Sequence, residues 1–247
     1  MDYKERYGTF LKKYIAPQRE MKVVFDASNG PTGMIIKNIF QNTLVKPIII
    51  NDEIDPDFKA HGPNPLSIGA RDHCAKEIKN NDADMGIVFD ADGDRAMFLD
   101  DKGEMIHACF IASLLHQSGT LCIADELVYQ SLKMLKTIPE KEIGPSKVGA
   151  LLIKEQMVSK KAAIGAEFSH HYYFSEFFNA DSGILAAITV INAVSKFQSS
   201  FSEWRNKMGV HELMSKEIRL NKETGSLYAV LEKKYTPKAK KVERRDG

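Results

Sequence analysis

The apolar positions come in short runs, each followed by a turn-rich loop and a stretch with helical spacing. Met21–Asp26 reads as a strand, Ala27–Gly33 as a tight loop, the residues to about Phe40 as a helix and Val45–Ile50 as a second strand. This β-loop-α-β order implies a parallel sheet with right-handed crossovers. Residues 4–14 alternate in charge and predict a short helix ahead of it. Ile54–Leu66 holds three prolines and reads as a loop; Ser67–Asn80 reads as a helix and Met85–Phe89 as a fully apolar, buried strand. Ala96–Asp100 and Glu104–Ile106 flank Asp100-Asp101-Lys102-Gly103 as a hairpin turn.

A second α/β pattern starts near His107. Helix His107–Gln117, strand Thr120–Ala124, helices Asp125–Leu135 and Gly149–Lys160, strand Ala162–Ala166 and a long helix over Ser182–Phe197 follow in turn. The two units are similar in size and element order, with no residue-level repeat. The expected division is 1–104, 105–212, and 213–247 as a linker and an incomplete third unit. In that last part Glu217–Leu220 reads as a strand, Gly225–Tyr235 as a helix and Lys240–Arg244 as a strand. Asp246-Gly247 looks like a hairpin turn lacking its second strand.

Composition narrows the class without choosing a function. The chain has 247 residues, 43% hydrophobic and 27% charged, the make-up of a globular protein. A net charge of +1 makes no electrostatic case for nucleic acid or a membrane surface. The basic residues between Lys233 and Arg245 read as a solvated face. No apolar stretch approaches the roughly 20 residues that span a bilayer, and the charged N-terminus lacks a signal-peptide core. Cys74, Cys109 and Cys122 suit neither a disulfide framework nor a zinc site, so a cytoplasmic location is the expectation.

The densest chemistry lies in Asp90-Ala91-Asp92-Gly93-Asp94-Arg95, directly after the buried strand. Alternate residues of an extended segment point the same way, so Asp90, Asp92 and Asp94 converge. Converging carboxylates repel unless a cation lies between them, and an all-oxygen set suits a hard divalent ion, Mg2+ with Mn2+ as the alternative. Arg95 adds a fork-shaped donor suited to a phosphate. An EF-hand is excluded because Arg95 occupies the position that needs glycine. A haloacid-dehalogenase-type phosphatase, with Asp90 as nucleophile and Asp92 as general acid, is a rival enzyme reading; Asp94 departs from that motif. His61 and His73 read as surface residues, and Asn29 as a residue shaping its loop through side-chain to backbone bonds.

Several segments resemble the α-D-phosphohexomutase family, the phosphomannomutases and phosphoglucomutases. Phe25-Asp26-Ala27-Ser28-Asn29-Gly30 resembles the turn that opens the family's second domain, and His61-Gly62-Pro63-Asn64-Pro65 its Pro-Asn-Pro loop. Asp90–Arg95 resembles its metal loop. Lys147-Val148-Gly149 resembles the approach to the sugar site, Gly165–His171 the sugar-recognition loop, and Asp181–Ala187 the helix start after it. The resemblance implies two three-layer α/β/α domains with mixed sheets and a cleft between them. It also implies a two-step phosphoryl transfer that interconverts hexose 1- and 6-phosphates through a bisphosphate.

In that scheme Asp90, Asp92 and Asp94 hold the metal and Arg95 contacts the transferring group. Glu167 and Ser169 meet sugar hydroxyls with His171 close by, and Lys147 is an anion contact. The family's phosphoserine loop and distal-phosphate loop have no counterpart here, so the chain is expected to be a fragment inactive alone. The non-enzyme rival is a sugar-phosphate-binding or interaction module. Ala91, Ala166 and His170 stand where the family has glycines; Ala150 and Leu151 stand where it often has His and Ser. These departures leave the metal site intact and the sugar site altered, with His170 strained if its backbone needs a positive φ.

Overall fold

The computed structural model describes residues 3–67, 69–208 and 224–238. The first sheet has the order β2-β1-β3-β4-β5. Its strands are β1 (Met21–Asp26), β2 (Val45–Ile50), β3 (Met85–Phe89), β4 (Ala96–Leu99) and β5 (Met105–Ile106). β1 runs parallel to β2 and β3, and the β3–β4–β5 part is antiparallel. The parallel pattern and the hairpin read in the sequence thus join in one mixed sheet. β3 is buried at all five positions, which is why it reads as an unbroken apolar run rather than an alternating one.

The second sheet has the order β10-β9-β8-β6-β7. Its strands are β6 (Cys122–Asp125), β7 (Ile143–Ser146), β8 (Ile164–Ala166), β9 (Tyr172–Phe174) and β10 (Ala180–Asp181). Read from the other edge it repeats the first sheet strand for strand, and the parallel and antiparallel pairs fall in the same places. The repeat is one of topology. Each half satisfies the same burial pattern with different side chains, so no residue-level repeat was visible.

Helices cover the sheets. α1 (Tyr3–Lys12), α2 (Thr32–Ile39) and α3 (Asp72–Asn80) accompany the first; α4 (Ala108–Leu115), α5 (Glu126–Leu135), α6 (Ala150–Lys160), α7 (Gly183–Val194) and α8 (Phe201–Lys207) follow. Cys74 and Ile78 of α3 pack on Val24, Val88, Met97 and Leu99. Ile153 and Met157 of α6 pack on Ile123 and Tyr173. Burying each such side chain stabilises by about 1.5–3 kcal/mol. The segment ahead of β1 is tied to α7: Ala16 N donates to Asn192 Oδ1 at 2.9 Å, and Asn192 Nδ2 donates to Tyr14 O at 2.7 Å. The described residues up to Met208 accordingly form one compact unit holding both sheets, and α9 (Thr224–Tyr235) belongs to another.

Several expectations are corrected. The helix read over Ser67–Asn80 begins only at Asp72, because Gly69 turns with φ +84° and the chain makes two tight turns before α3. The long helix ends at Val194, and Ser182 is its N-cap, accepting from Leu185 N at 3.2 Å. β7 was not read because Pro145 breaks the strand signal; it is tolerated because β7 is an edge strand. α8 was also missed, although Ser200 and Glu203 form a capping box there. α9 matches the helix read at 225–235; the strands read at 217–220 and 240–244 and the terminal turn lie outside the described residues.

Candidate functional site

Parallel strands β1, β2 and β3 end on one edge of the first sheet, and loops at that edge are positioned by rigid strands. Asp90 is the first residue after β3 and only 3% exposed. Its Oδ1 accepts from Gly93 N (3.0 Å) and Arg95 N (3.1 Å), and its Oδ2 accepts from Arg95 Nε at 2.7 Å. The loop therefore curls around its own first carboxylate. Gly93 allows this with φ +80°, and a side chain there would strike Thr32. Ala91 is not in the left-handed region, so its replacement of a glycine is structurally neutral.

Asp90, Asp92 and Asp94 each offer an oxygen within 4.8 Å of the others. Asp94 Oδ1 is buried and makes no close hydrogen bond, His171 Nε2 lying 3.5 Å away. A hard oxygen-ligated divalent cation fits both facts: it would take up the unpartnered oxygen and cancel the repulsion. Burial, reinforced by the neighbouring Asp94, pushes the Asp90 carboxyl up to about 6. His171 beside Asp94 is the main reason that carboxyl falls to about 2.

In the second sheet the same position carries the other half of the site. Glu167 follows β8 and is 3% exposed. Its Oε1 accepts from Gly149 N at 2.8 Å and its Oε2 from Tyr173 OH at 2.6 Å. Ser169 Oγ lies 2.8 Å from His171 Nδ1. His171 Nε2 is 3.5 Å from Asp94 Oδ1 and its Nδ1 3.4 Å from Glu167 Oε2, so this ring links the two acidic loops. Burial lowers its pKa, but Asp94, Glu167 and Asp181 outweigh burial and hold it above the usual histidine value. Lys147 lies exposed two residues before Gly149.

The backbones of the two loops also meet. Gly183 N donates to Gly93 O at 3.1 Å, Ala96 N donates to His170 O at 3.3 Å, and Arg95 and His171 form an antiparallel bridge. A side chain at Gly183 would lie 2.6 Å from Arg95 O, so only glycine lets the start of α7 press against the acidic loop. His170 does take a positive φ, +67°, and its ring is buried against Tyr172 OH at 3.0 Å. Burial drives that ring down to about 3, so it is neutral.

Three residues to which the sequence assigns no part in the site support it. Asn64 Oδ1 accepts from Arg95 Nη1 at 3.1 Å. Asp125 caps α5 through Val128 N and also accepts from Phe168 N at 2.6 Å, holding the Glu167 loop. His61 was read as a surface residue. Its side chain is instead buried, 6% exposed, with Nε2 3.2 Å from the fully buried Asp26. The motif residue was visible; its burial was not, because the partner comes from β1. His73 is exposed as expected, and Asn29 does shape its loop, bonding Glu53 O and Ala60 N.

The three cysteines are buried and form no disulfide. Among the described residues no helix is long and apolar enough to cross a membrane.

Comparison with known proteins agrees with this geometry. Residues 3–103 match the family model for phosphoglucomutase/phosphomannomutase alpha/beta/alpha domain II, and residues 105–210 match that for domain III. A phosphomannomutase of Salmonella typhimurium is 31% identical over 99% of this chain and 57% of its own length. A phosphoglucomutase/phosphomannomutase family protein of Burkholderia thailandensis shares the fold with a TM-score of 0.72 at 23% identity, over 83% of this chain and 46% of that one. An N-acetylphosphoglucosamine mutase of Aspergillus fumigatus, solved with GlcNAc-6P and magnesium, shares it with a TM-score of 0.56 at 14% identity, over 83% of this chain and 52% of that one. The chain spans about half the length of these relatives. With both sheets, both acidic loops and both domain matches in register, the chain belongs to the phosphoglucomutase/phosphomannomutase family.

Proposed function

We propose that this chain is the metal-holding and sugar-holding part of a phosphohexomutase that interconverts hexose 1- and 6-phosphate through a hexose bisphosphate. The observation that carries the reading is the junction at His171, which sets the Asp90–Asp92–Asp94 loop beside the Glu167–Ser169 loop. The three aspartates would hold one divalent ion, Mg2+ or Mn2+, which when bound neutralises charge on a phosphoryl group. Arg95, held by Asp90 and Asn64, would donate to the transferring phosphoryl oxygens. Glu167 Oε1 accepts from Gly149 N, while Oε2 accepts from Tyr173 OH and also faces His171 Nδ1 at 3.4 Å, so the carboxylate would accept from a sugar hydroxyl chiefly through Oε1. Ser169 would donate to or accept from a hydroxyl, and Lys147 would meet a phosphate at the rim.

The phosphatase reading needs Asp90 as a nucleophile. Burial and three bonds from the loop's own N–H groups argue against that role. The proposed reaction also needs a phosphoserine donor and a grip for the second phosphate, which the test supplies. The chain is titrated with Mn2+ and then with glucose 1,6-bisphosphate, and separately mixed with phosphoserine and phosphate-loop domains of a relative. Saturable metal binding, and bisphosphate binding weakened at least tenfold by Glu167→Gln, are expected. So is mutase turnover on complementation. Hydroxylamine-sensitive aspartyl-phosphate would favour the phosphatase. Bisphosphate binding without turnover in any complemented mixture would favour the binding module.

A further inference from the structure

We propose that Asn64 and His61 are positioning residues for Arg95, forming a brace behind the acidic loop. The inference rests on the reading of that loop given above.

The brace can be followed atom by atom. Arg95 is held on two sides: Nε donates to Asp90 Oδ2 at 2.7 Å, and Nη1 donates to Asn64 Oδ1 at 3.1 Å. Two donors in fixed places on a planar guanidinium set its plane, and Asp90 alone would leave it free to pivot. Asn64 is itself held. Its Oδ1 accepts from Leu66 N at 3.1 Å, its carbonyl accepts from Ser67 N at 3.0 Å, and the preceding Pro63 carbonyl accepts from Ala91 N at 3.1 Å. The loop therefore grips the acidic loop by backbone and by side chain.

His61 anchors the other end. Its Nε2 lies 3.2 Å from Asp26 Oδ1. Asp26 is fully buried and also accepts from Ser28 N at 3.0 Å and from Asn51 Nδ2 at 3.0 and 2.9 Å. Ser28 Oγ in turn donates to Phe89 O, the residue before Asp90. A buried carboxylate costs several kcal/mol unless it is paired and hydrogen-bonded; Ser28 and Asn51 supply the hydrogen bonds of Asp26, and the His61 ring adds an ion-pair contact. The network bonds the stretch from Phe89 to Arg95 at three places: Phe89 through Ser28, Ala91 through Pro63 and Arg95 through Asn64. A surface loop needing only to close on itself requires none of them.

The test uses the full chain. The Arg95 guanidinium 15N–1H signals are assigned by their loss in Arg95→Lys. In the unmodified protein they should show a protected Nε–H and slow rotation about Nε–Cζ. Asn64→Ala should free that rotation and weaken Mn2+ binding about tenfold, the low end for outer-shell partners of metal ligands. Asn64→Asp keeps the acceptor and should restore both. His61→Gln should loosen the guanidinium partly. Circular dichroism confirms that each variant is folded. Unchanged Arg95 signals in folded Asn64→Ala would overturn the brace, as would Asn64→Asp behaving like Asn64→Ala. Absence of Mn2+ binding in the unmodified chain would count against the metal reading alone, since the guanidinium signals are read without metal.

Discussion

At the residue scale, the acidic loop holds a carboxyl whose proton competes with a cation. Asp90 titrates near 6 because it is buried and next to Asp94. Metal must displace that proton, so affinity rises with pH until Asp90 is ionised. One pH unit below its pKa only about a tenth of the carboxyl is ionised. Mn2+ binding should therefore be about tenfold weaker at pH 5 than at pH 8. Calorimetry in buffers of different ionisation heat should show a released proton at pH 5 and none at pH 8. Asp92→Asn should abolish the binding at both.

The metal-free fold follows the opposite sign. A carboxyl whose pKa is raised on folding contributes stability that is complete below its unfolded value near 4 and is lost as pH rises through about 6. Chemical denaturation without metal should thus show stability falling across that window, and saturating Mn2+ at pH 7 should reverse the fall.

At the scale of elements, the decisive contact is the start of α7 against the acidic loop. Ser182 caps the helix, bonds Tyr7 OH at 3.1 Å and is followed by Gly183 on the Gly93 carbonyl. Gly183→Ala places a methyl group 2.6–2.8 Å from three backbone atoms that cannot yield. The expected cost is about 1–3 kcal/mol, read as a lower denaturation midpoint, together with weaker Mn2+ binding. The parallel-strand edges of both sheets obey one logic. The residue after the third strand is an acidic side chain buried to the same extent, Asp90 in one sheet and Glu167 in the other.

At the scale of the molecule, the two sheets form one compact unit. The acidic loop belongs to the first and is bonded to Gly183 and His170 of the second; Ser202 of α8 donates to Asp101 in the β4–β5 turn at 2.7 and 3.0 Å. Phe98 and Tyr172 add an edge-to-face contact at 6.1 Å. Both halves should melt in a single calorimetric transition. Mn2+ at a hundred times its dissociation constant should stabilise that transition by about 2.7 kcal/mol. Two separated transitions, with only the first shifted by metal, would show that the halves fold independently.

What the sequence determined by itself is the part written in local pattern. β3 and β8 are apolar throughout because they are buried on both faces, and β1 and β6 are nearly so, with charged residues only at Lys22, Asp26 and Asp125; runs of that kind are legible without knowing their neighbours. The acidic loop is legible from its spaced carboxylates, but they converge because the loop curls around Asp90 at Gly93 rather than because the segment is extended. The family motifs add the order of the loops. What only the tertiary structure decided are pairings between distant residues. Asn64 meets Arg95 across 31 positions, Asp125 meets Phe168 across 43, and Tyr7 meets Ser182 across 175. None leaves a period in the sequence. A polar residue in a loop looks the same whether water or a buried partner satisfies it, so His61 read as surface until β1 brought Asp26 beneath it. The repeated topology stayed hidden on the same ground: strand order is set by which backbone edges pair, and backbone groups are alike in every residue.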